Sequence, residues 1–180
     1  MPGLVGIITK RPAAWANAEL RRMLATMKHG AQLQSGTFAE ASIGLYAGWT
    51  ARRGSFSAEM PLDSEDEQRT LLFSGEEYPD PAVRERFKAR DQRVGAQAKT
   101  GSAHYLLHVA AEDPRFPATL NGQFHGVWID RTAQEAMLFN DRYSMHRIYY
   151  YETPEAFYFA AEAKAILAVR PETRTPDQQG

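Results

Sequence analysis

Cysteine is absent from the 180 residues of this chain. Its absence excludes disulfide bonds and thiolate metal sites, and it removes the thiol as a nucleophile for catalysis. Any nucleophilic chemistry must therefore come from another side chain or from the terminal amine.

Long apolar runs and a marked charge of one sign are absent as well. No run approaches the roughly 20 residues that cross a membrane as a helix. The amino terminus lacks the basic region and apolar stretch of a signal peptide. With 21 basic and 22 acidic residues the formal net charge is −1, which gives no reason to expect nucleic acid or an anionic membrane as partner. We therefore expect a cytoplasmic protein.

Histidine is scarce, with five residues in the chain. His104 and His108 have the spacing that places two imidazoles on one face of a helix. No carboxylate lies between them in the arrangement of a metalloprotease helix. We predict no metal site, and we interpret the two as one partly exposed and one packed histidine.

The chain opens with MPGLVGI, in which residues 3–8 form an apolar run that predicts a short buried strand. Once Met1 is removed, the next residue carries a free α-amine beside its own side chain. A Cys, Ser or Thr at that place would be activated by this amine. The residue there is Pro2, which has no nucleophilic side chain.

Apolar periodicity and turn signals predict a mixed architecture. Strands are predicted at 42–49, 70–73, 123–130, 135–140, 147–151 and 156–161. Helices are predicted from Asn17 to Lys28, after Asp80-Pro81, from Ser102 and over 163–168, and 51–69 is predicted to be a loop. This order indicates an α+β fold with antiparallel sheets covered by helices.

Three segments of the second half resemble a known family. Residues 120–130 (LNGQFHGVWID) resemble LNGMFAFAIWD of the asparagine synthetase glutaminase domain. Residues 141–150 (DRYSMHRIYY) resemble its DRFGIKPLYY, and residues 159–165 (FAAEAKA) resemble its FASEIKA. The segments follow in the family's order and spacing. The resemblance, which covers residues 2 to about 169, is to class II glutamine amidotransferases, which are N-terminal nucleophile hydrolases.

This resemblance implies a four-layer αββα sandwich of two antiparallel sheets between helices. Residues 2–169 would form the amidotransferase-like domain, and 170–180 a linker or tail. The implied partner is an ATP-dependent synthetase domain in cis or in trans, and a homodimer is also compatible. No cofactor is expected in this chain itself. ATP and magnesium are expected only if a synthetase domain follows.

The resemblance also implies site positions, at which this chain departs from the family. In active members an N-terminal Cys attacks the glutamine amide, and Pro2 stands at that position. The family motif NGEIYN aligns with residues 74–79 (SGEEYP). Ser74 replaces the Asn whose amide donates to the oxyanion, while Gly75 keeps the backbone N–H that is the other donor. Loss of one such donor costs on the order of 3 kcal/mol in a working enzyme.

Substrate-binding positions are changed too. The motif GSD.E aligns with residues 101–105 (GSAHY), so that Ala103 replaces the carboxylate that binds the glutamine α-amino group. Glu76 is kept. The arginine for the α-carboxylate should lie near 50–53, where strict alignment places Thr50 and a small shift offers Arg52 or Arg53. The motif RHRGPD.SG aligns with residues 28–36 and retains a histidine and the final Ser-Gly.

Two further predictions concern residues without an assigned role in the chemistry. The neighbours Asp141 and Arg142 are predicted to be structural and to form a buried pair. The aromatic residues of 149–159 are predicted to pack across a hairpin, because cross-strand pairs are the ordinary use of such residues.

Three departures in one scaffold, at Pro2, Ser74 and Ala103, predict a degenerate glutaminase domain that does not hydrolyse glutamine and serves a structural role beside a synthetase domain. Two alternatives stay open. One is a binding module whose altered pocket includes His104 and Tyr105. The other is an enzyme that uses the Pro2 amine as a base or Schiff-base former, since a terminal amine has a pKa near 8.

Overall fold

The computed structural model of the protein describes residues 2–83, 85–86 and 103–175. Its strands are β1 (Gly3–Thr9), β2 (Leu33–Glu40), β3 (Leu45–Arg52), β4 (Leu62–Asp63), β5 (Arg69–Glu77), β6 (Gly122–Asp130), β7 (Glu135–Asn140), β8 (Tyr149–Glu152) and β9 (Ala156–Ala160). Its α-helices are α1 (Ala13–Met27), α2 (Tyr105–Glu112) and α3 (Ala163–Val169), with 3-10 turns at Ala41–Ile43 and Pro171–Arg174.

The chain divides into two compact units. The first unit contains residues 1–50 and 148–180, and the second contains residues 51–147. In the first unit the strand order is β2-β3-β1-β9-β8, and in the second it is β4-β5-β6-β7. The predicted α+β class with antiparallel sheets is confirmed. The predicted helix cap at Ser102 lies outside the described residues.

Strand β1 is buried, as its apolar run predicted, and it is the central strand of the first unit. It pairs antiparallel with β3, where Leu4 faces Trp49, and with β9, where Ile7 faces Tyr158. Leu4 and Ile7 have no exposed surface. Pro2 directly precedes this strand, at a place where a missing N–H removes no ladder hydrogen bond.

Helix α1 packs its apolar stripe against this sheet, but it begins earlier than predicted. The stripe is buried as expected and consists of Leu20, Met23, Leu24 and Met27. The predicted cap, Asn17, is inside the helix and donates its side-chain amide to the carbonyl of Ala13 at 2.9 Å. Pro12 caps the helix instead, and its carbonyl accepts the N–H of Ala16 at 3.2 Å. Proline in the first turn costs no intrahelical hydrogen bond.

Strands with weak apolar alternation were not predicted from the sequence or were predicted too short. Strand β2 was not predicted, because it is an edge strand whose residues are only half-buried or exposed. Strand β4 lies within the segment predicted to be a loop. Strand β5 is five residues longer than the predicted 70–73, because it pairs along its whole length with β6, from Arg69–Asp130 to Glu77–Gly122.

The second unit has an aromatic core under α2. Phe73 has no exposed surface, and its ring centroid lies 5.7 Å from that of Phe56 and 5.2 Å from that of Phe124. Tyr105 and Leu106 of α2 belong to the same cluster. Throughout the described ranges, every helix falls short of the length and apolarity needed to cross a bilayer.

We expect Phe73→Ala to destabilise the protein by about 3–5 kcal/mol, because it removes a fully buried ring and leaves a cavity. Chemical denaturation measures the difference in unfolding free energy. Tyr143→Ala is the matched control, since this ring is 77% exposed, and it should change stability by less than about 0.5 kcal/mol. Equal effects of the two substitutions would contradict the assigned core.

Candidate functional site

The motif at residues 74–76 lies near the end of β5, where Ser74 and Glu76, two residues apart, share one face of the strand. Ser74 is 1% exposed and Glu76 is exposed. Gly75 lies between them with φ +119°. A Cβ on this residue would collide with the carbonyl oxygen of Gln123 and the Cα of Phe124. Both the backbone angle and the close approach of β6 therefore require glycine here.

The backbone of Gly75 is held by a buried serine hydroxyl. Ser57 Oγ donates to the carbonyl of Gly75 at 2.8 Å and accepts its N–H at 3.1 Å. Ser57 is 5% exposed. The N–H to which the resemblance assigns oxyanion binding is therefore already hydrogen-bonded. No sequence signal indicated this role of Ser57, which lies in the segment predicted to be a loop.

The hydroxyl of Ser74 is buried and has no hydrogen-bond partner among the described residues. Leaving a hydroxyl buried and unsatisfied costs about 1–3 kcal/mol. No described neighbour orients this hydroxyl as a donor. Ser74 thus differs from an amide donor both in its shorter reach and in the lack of a group that fixes its direction.

A stacked histidine pair lies beside Ser74 in the second unit. His125 of β6 is opposite Ser74 in the strand register and has no exposed surface. Its ring stacks on that of His146, with centroids 4.3 Å apart and planes 18° from parallel. His125 Nδ1 lies 3.3 Å from the carbonyl oxygen of His146, and His146 Nδ1 lies 3.1 Å from that of Ser74. Sequence reasoning did not identify this pair.

Burial keeps both histidines neutral near pH 7. It lowers the pKa of His125 to about 3, and repulsion from His146 acts in the same direction. Asp141 opposes this shift but does not outweigh it. The pKa of His146 is also lowered, chiefly by burial. Neutral imidazoles can share a hydrogen-bonded stack without the repulsion of two cations.

Asp141 organises the loop that carries His146. Burial would raise the pKa of this carboxyl, but hydrogen bonds from the backbone outweigh burial and lower it. The predicted buried pair with Arg142 is wrong, because Arg142 is exposed and donates to the carbonyl of Ala118. The backbone donors to Asp141 are the N–H groups of Phe124, Tyr143, Met145 and His146.

The other predicted site residues have different surroundings. Ala103 is 1% exposed and packs in the aromatic core, and its N–H donates to the carbonyl of Phe56 at 3.2 Å. A carboxylate at that place would be buried in an apolar cluster at considerable cost. Arg52, the last residue of β3, and Arg53 are both exposed. Pro2 is partly buried in the first unit.

Two of the resembling segments meet within the first unit. His29 Nε2 lies 2.9 Å from a carboxylate oxygen of Glu162, and Lys164 Nζ lies 2.9 Å from the other oxygen. Burial would raise the pKa of Glu162, but hydrogen bonds from Lys164 and His29 lower it to about 2. Over the ranges that the structure describes, no group of three His, Cys, Asp or Glu residues is placed to hold a metal ion.

Comparison with known proteins identifies the family. The model of the glutamine amidotransferase domain matches residues 1–180. The chain belongs to this family. No curated protein sequence matches this glutamine amidotransferase domain. Among solved structures it is similar to glutamine phosphoribosylpyrophosphate amidotransferase from B. subtilis complexed with ADP and GMP, with 15% identity and a TM-score of 0.66.

A second similar structure is described as the allosteric regulatory enzyme of purine biosynthesis, with 15% identity and a TM-score of 0.64. Each match covers 93% of this chain, which spans 43% of the matched protein. At this identity the likeness shows the fold alone. This glutamine amidotransferase domain therefore shares with these solved structures the α+β fold of antiparallel sheets and helices.

We expect Ser57→Ala to cost about 1–3 kcal/mol of unfolding free energy, because it leaves both backbone groups of Gly75 without their buried partner. The exposed Ser35→Ala is the control and should change stability by less than about 0.5 kcal/mol. Urea denaturation measures both. A neutral Ser57→Ala variant would show that the hydroxyl does not hold Gly75.

The histidine pair predicts a loss of stability in acid. Unfolded His125 takes up a proton below its ordinary pKa of 6.5, but in the folded protein it does so only near pH 3. The unfolded state therefore binds more protons between these values, and stability falls as the pH falls. Between pH 7 and pH 5 this group should contribute a loss of about 2 kcal/mol.

Urea denaturation of wild type and His125→Phe at the two pH values tests this expectation. The variant should lose about 2 kcal/mol less than wild type between pH 7 and pH 5. This pH window lies above the ordinary pKa of 4.5 for Glu162. The Glu162 carboxyl therefore adds little to the loss of stability. The exposed Ser35→Ala, which removes no titratable group, is the control and should keep the wild-type dependence. Identical pH dependence of wild type and His125→Phe would contradict the assignment of His125 as buried and neutral in the folded protein.

Proposed function

We propose that this chain is a degenerate glutaminase domain of an asparagine synthase-like protein. It does not hydrolyse glutamine, and it serves a structural role beside an ATP-dependent synthetase domain. The observation that carries the proposal is the contact between Ser57 and Gly75, because it occupies the N–H that an oxyanion would need.

The missing nucleophile supports the same conclusion independently. The chain contains no cysteine, and Pro2 has neither a hydroxyl nor a thiol to attack an amide. Restoring a nucleophile at this position would leave the glycine N–H of the family's oxyanion motif hydrogen-bonded to Ser57 Oγ at 3.1 Å. Removal of one oxyanion donor lowers kcat by about 100- to 1,000-fold in working enzymes.

The substrate-binding positions give further support. Ala103 lies in an apolar core and offers no counter-charge to an ammonium group. An ammonium group transferred from water to a site without a counter-ion binds poorly, since its desolvation is not compensated. Glu76, Arg52 and Arg53 are exposed. For these residues we propose only the substrate-binding roles that the resemblance implies.

The partner and cofactors in this proposal belong to the synthetase domain. More than half of each similar solved protein lies outside the region matched by this chain, which is compatible with residues 2–169 acting as one domain of a larger assembly and 170–180 as its linker. ATP and magnesium would bind to the synthetase domain. The proposed location of the protein is the cytoplasm. A coding sequence that continues past codon 180 into an SGGLDS loop would support the assignment in cis.

Ammonia release from glutamine and from a γ-glutamyl ester tests the proposed loss of activity. We expect wild type and Pro2→Cys both to stay at the level of the blank, with an active class II glutaminase as the positive control. Turnover by wild type would overturn the proposal. Turnover by Pro2→Cys but not by wild type would show that the loss of activity comes from the missing nucleophile only.

The alternative enzyme that uses the Pro2 amine is distinguished by trapping. Borohydride reduction in the presence of a carbonyl compound would fix a Schiff base at the terminus, and mass spectrometry would locate it. We expect no adduct on Pro2. A specific terminal adduct would favour this alternative over the structural role.

A further inference from the structure

The first unit contains a cavity of about 500 Å³ at one end of its sheet. Its volume is in the range of small-molecule sites. The cavity is lined by residues 8–11 at the end of β1, by Ile43 of the 3-10 turn before β3, and by residues 153–157 of the β8–β9 turn and the start of β9. All of these residues belong to the first unit. Among the described residues of the lining, none belongs to the family motif at 74–76.

Hydrogen bonds from Thr9 hold the three lining segments together. Its hydroxyl donates to the carbonyl of Glu155 at 2.7 Å and accepts the N–H of Arg11 at 3.0 Å. Its own N–H donates to the carbonyl of Gly44, the residue after Ile43, at 3.0 Å. Thr9 is buried, which shields these bonds from water. The walls of the cavity are therefore preformed, and a ligand does not have to order them on binding.

Apolar side chains supply a large part of the inner surface. Ile8, Ile43 and Phe157 line the cavity and are half-buried, so that part of the apolar surface of each stays open to a ligand. The ring of Phe157 is oriented by stacking on that of Tyr150, with centroids 5.7 Å apart. Removal of such surface from water favours binding of a molecule with an apolar body.

The charged groups of the lining favour an anion. Its described residues include two cations, Lys10 and Arg11, and one carboxylate, Glu155. Arg11 is paired with Glu155 at 2.8 Å, and its guanidinium lies over the ring of Trp15 at 4.5 Å from the centroid. Since this ion pair neutralises both partners, the ammonium group of Lys10 is the excess charge of the described lining. A concave surface with such an excess attracts negative ligands and repels positive ones.

We propose that this cavity binds a small organic carboxylate with an apolar body. The ammonium group of Lys10 donates to the carboxylate, and the body packs against Ile43 and Phe157. One charged group beside an apolar cavity is enough to orient such a ligand. This binding function goes beyond the structural role proposed above and does not depend on it. Glutaminase assays and binding assays can therefore fail separately.

NMR titration of the isotope-labelled 180-residue chain with 3-phenylpropionate tests the proposal. Its neutral isostere, 3-phenylpropanamide, and its cationic counterpart, 3-phenylpropylammonium, are the matched ligands. We expect the carboxylate to cause saturable shifts of the backbone N–H signals of Ile43 and Phe157, the amide to bind more weakly, and the ammonium compound not to bind. Absence of saturable shifts at these residues, or equal binding of all three compounds, would overturn the proposal.

Substitutions identify the group that binds the carboxylate. Lys10→Gln should weaken binding by about fivefold, because it removes the excess charge of the lining. Lys28→Gln is the matched control, since Lys28 is also exposed, does not line the cavity and carries the same charge. Binding by this control should stay within about twofold of wild type.

Ile43→Glu provides a second variant, because its carboxylate would repel the ligand from the apolar wall. We expect this variant to lose binding, and thermal unfolding shows whether it is folded. Unchanged binding by Lys10→Gln or by folded Ile43→Glu would contradict the site. Equal weakening by Lys10→Gln and Lys28→Gln would contradict it too, since the effect would then come from the net charge of the protein.

Discussion

The nine-residue ladder between β5 and β6 is the constraint on which the second unit depends. Its register sets Ser74 opposite His125, and it brings the β6 backbone so close to Gly75 that no side chain fits there. It also extends β5 to Glu77, beyond the apolar run that identified the strand. The positions of the family motif at residues 74–76 and of Glu77 both follow from this pairing.

The two faces of β5 therefore carry side chains with different surroundings. On one face lies Ser74, whose buried hydroxyl has no partner among the described residues, and beside it the backbone N–H of Gly75 donates to Ser57. On the other face Glu77 and Tyr105 form a hydrogen-bonded pair. A strand that pairs on both edges can change the side chains of one face without disturbing the other.

Buried polar groups beside this ladder are kept in defined charge states. Asp141 stays ionised because four backbone N–H groups donate to it, and it thereby fixes the loop that presents His146. His125 stays neutral because it is buried against that second imidazole. A hydrogen-bonded anion and a neutral histidine stack are both compatible with a stable interior near neutral pH.

The sequence alone determined what is local or compositional. The α+β class and the strands at 123–130 and 135–140 were predicted, since alternation and turn residues are readable without contacts. Tertiary structure decided the rest. Ser57 reaches Gly75 across 18 residues and His29 reaches Glu162 across 133, and such partners follow from strand register and packing, which no local spacing encodes.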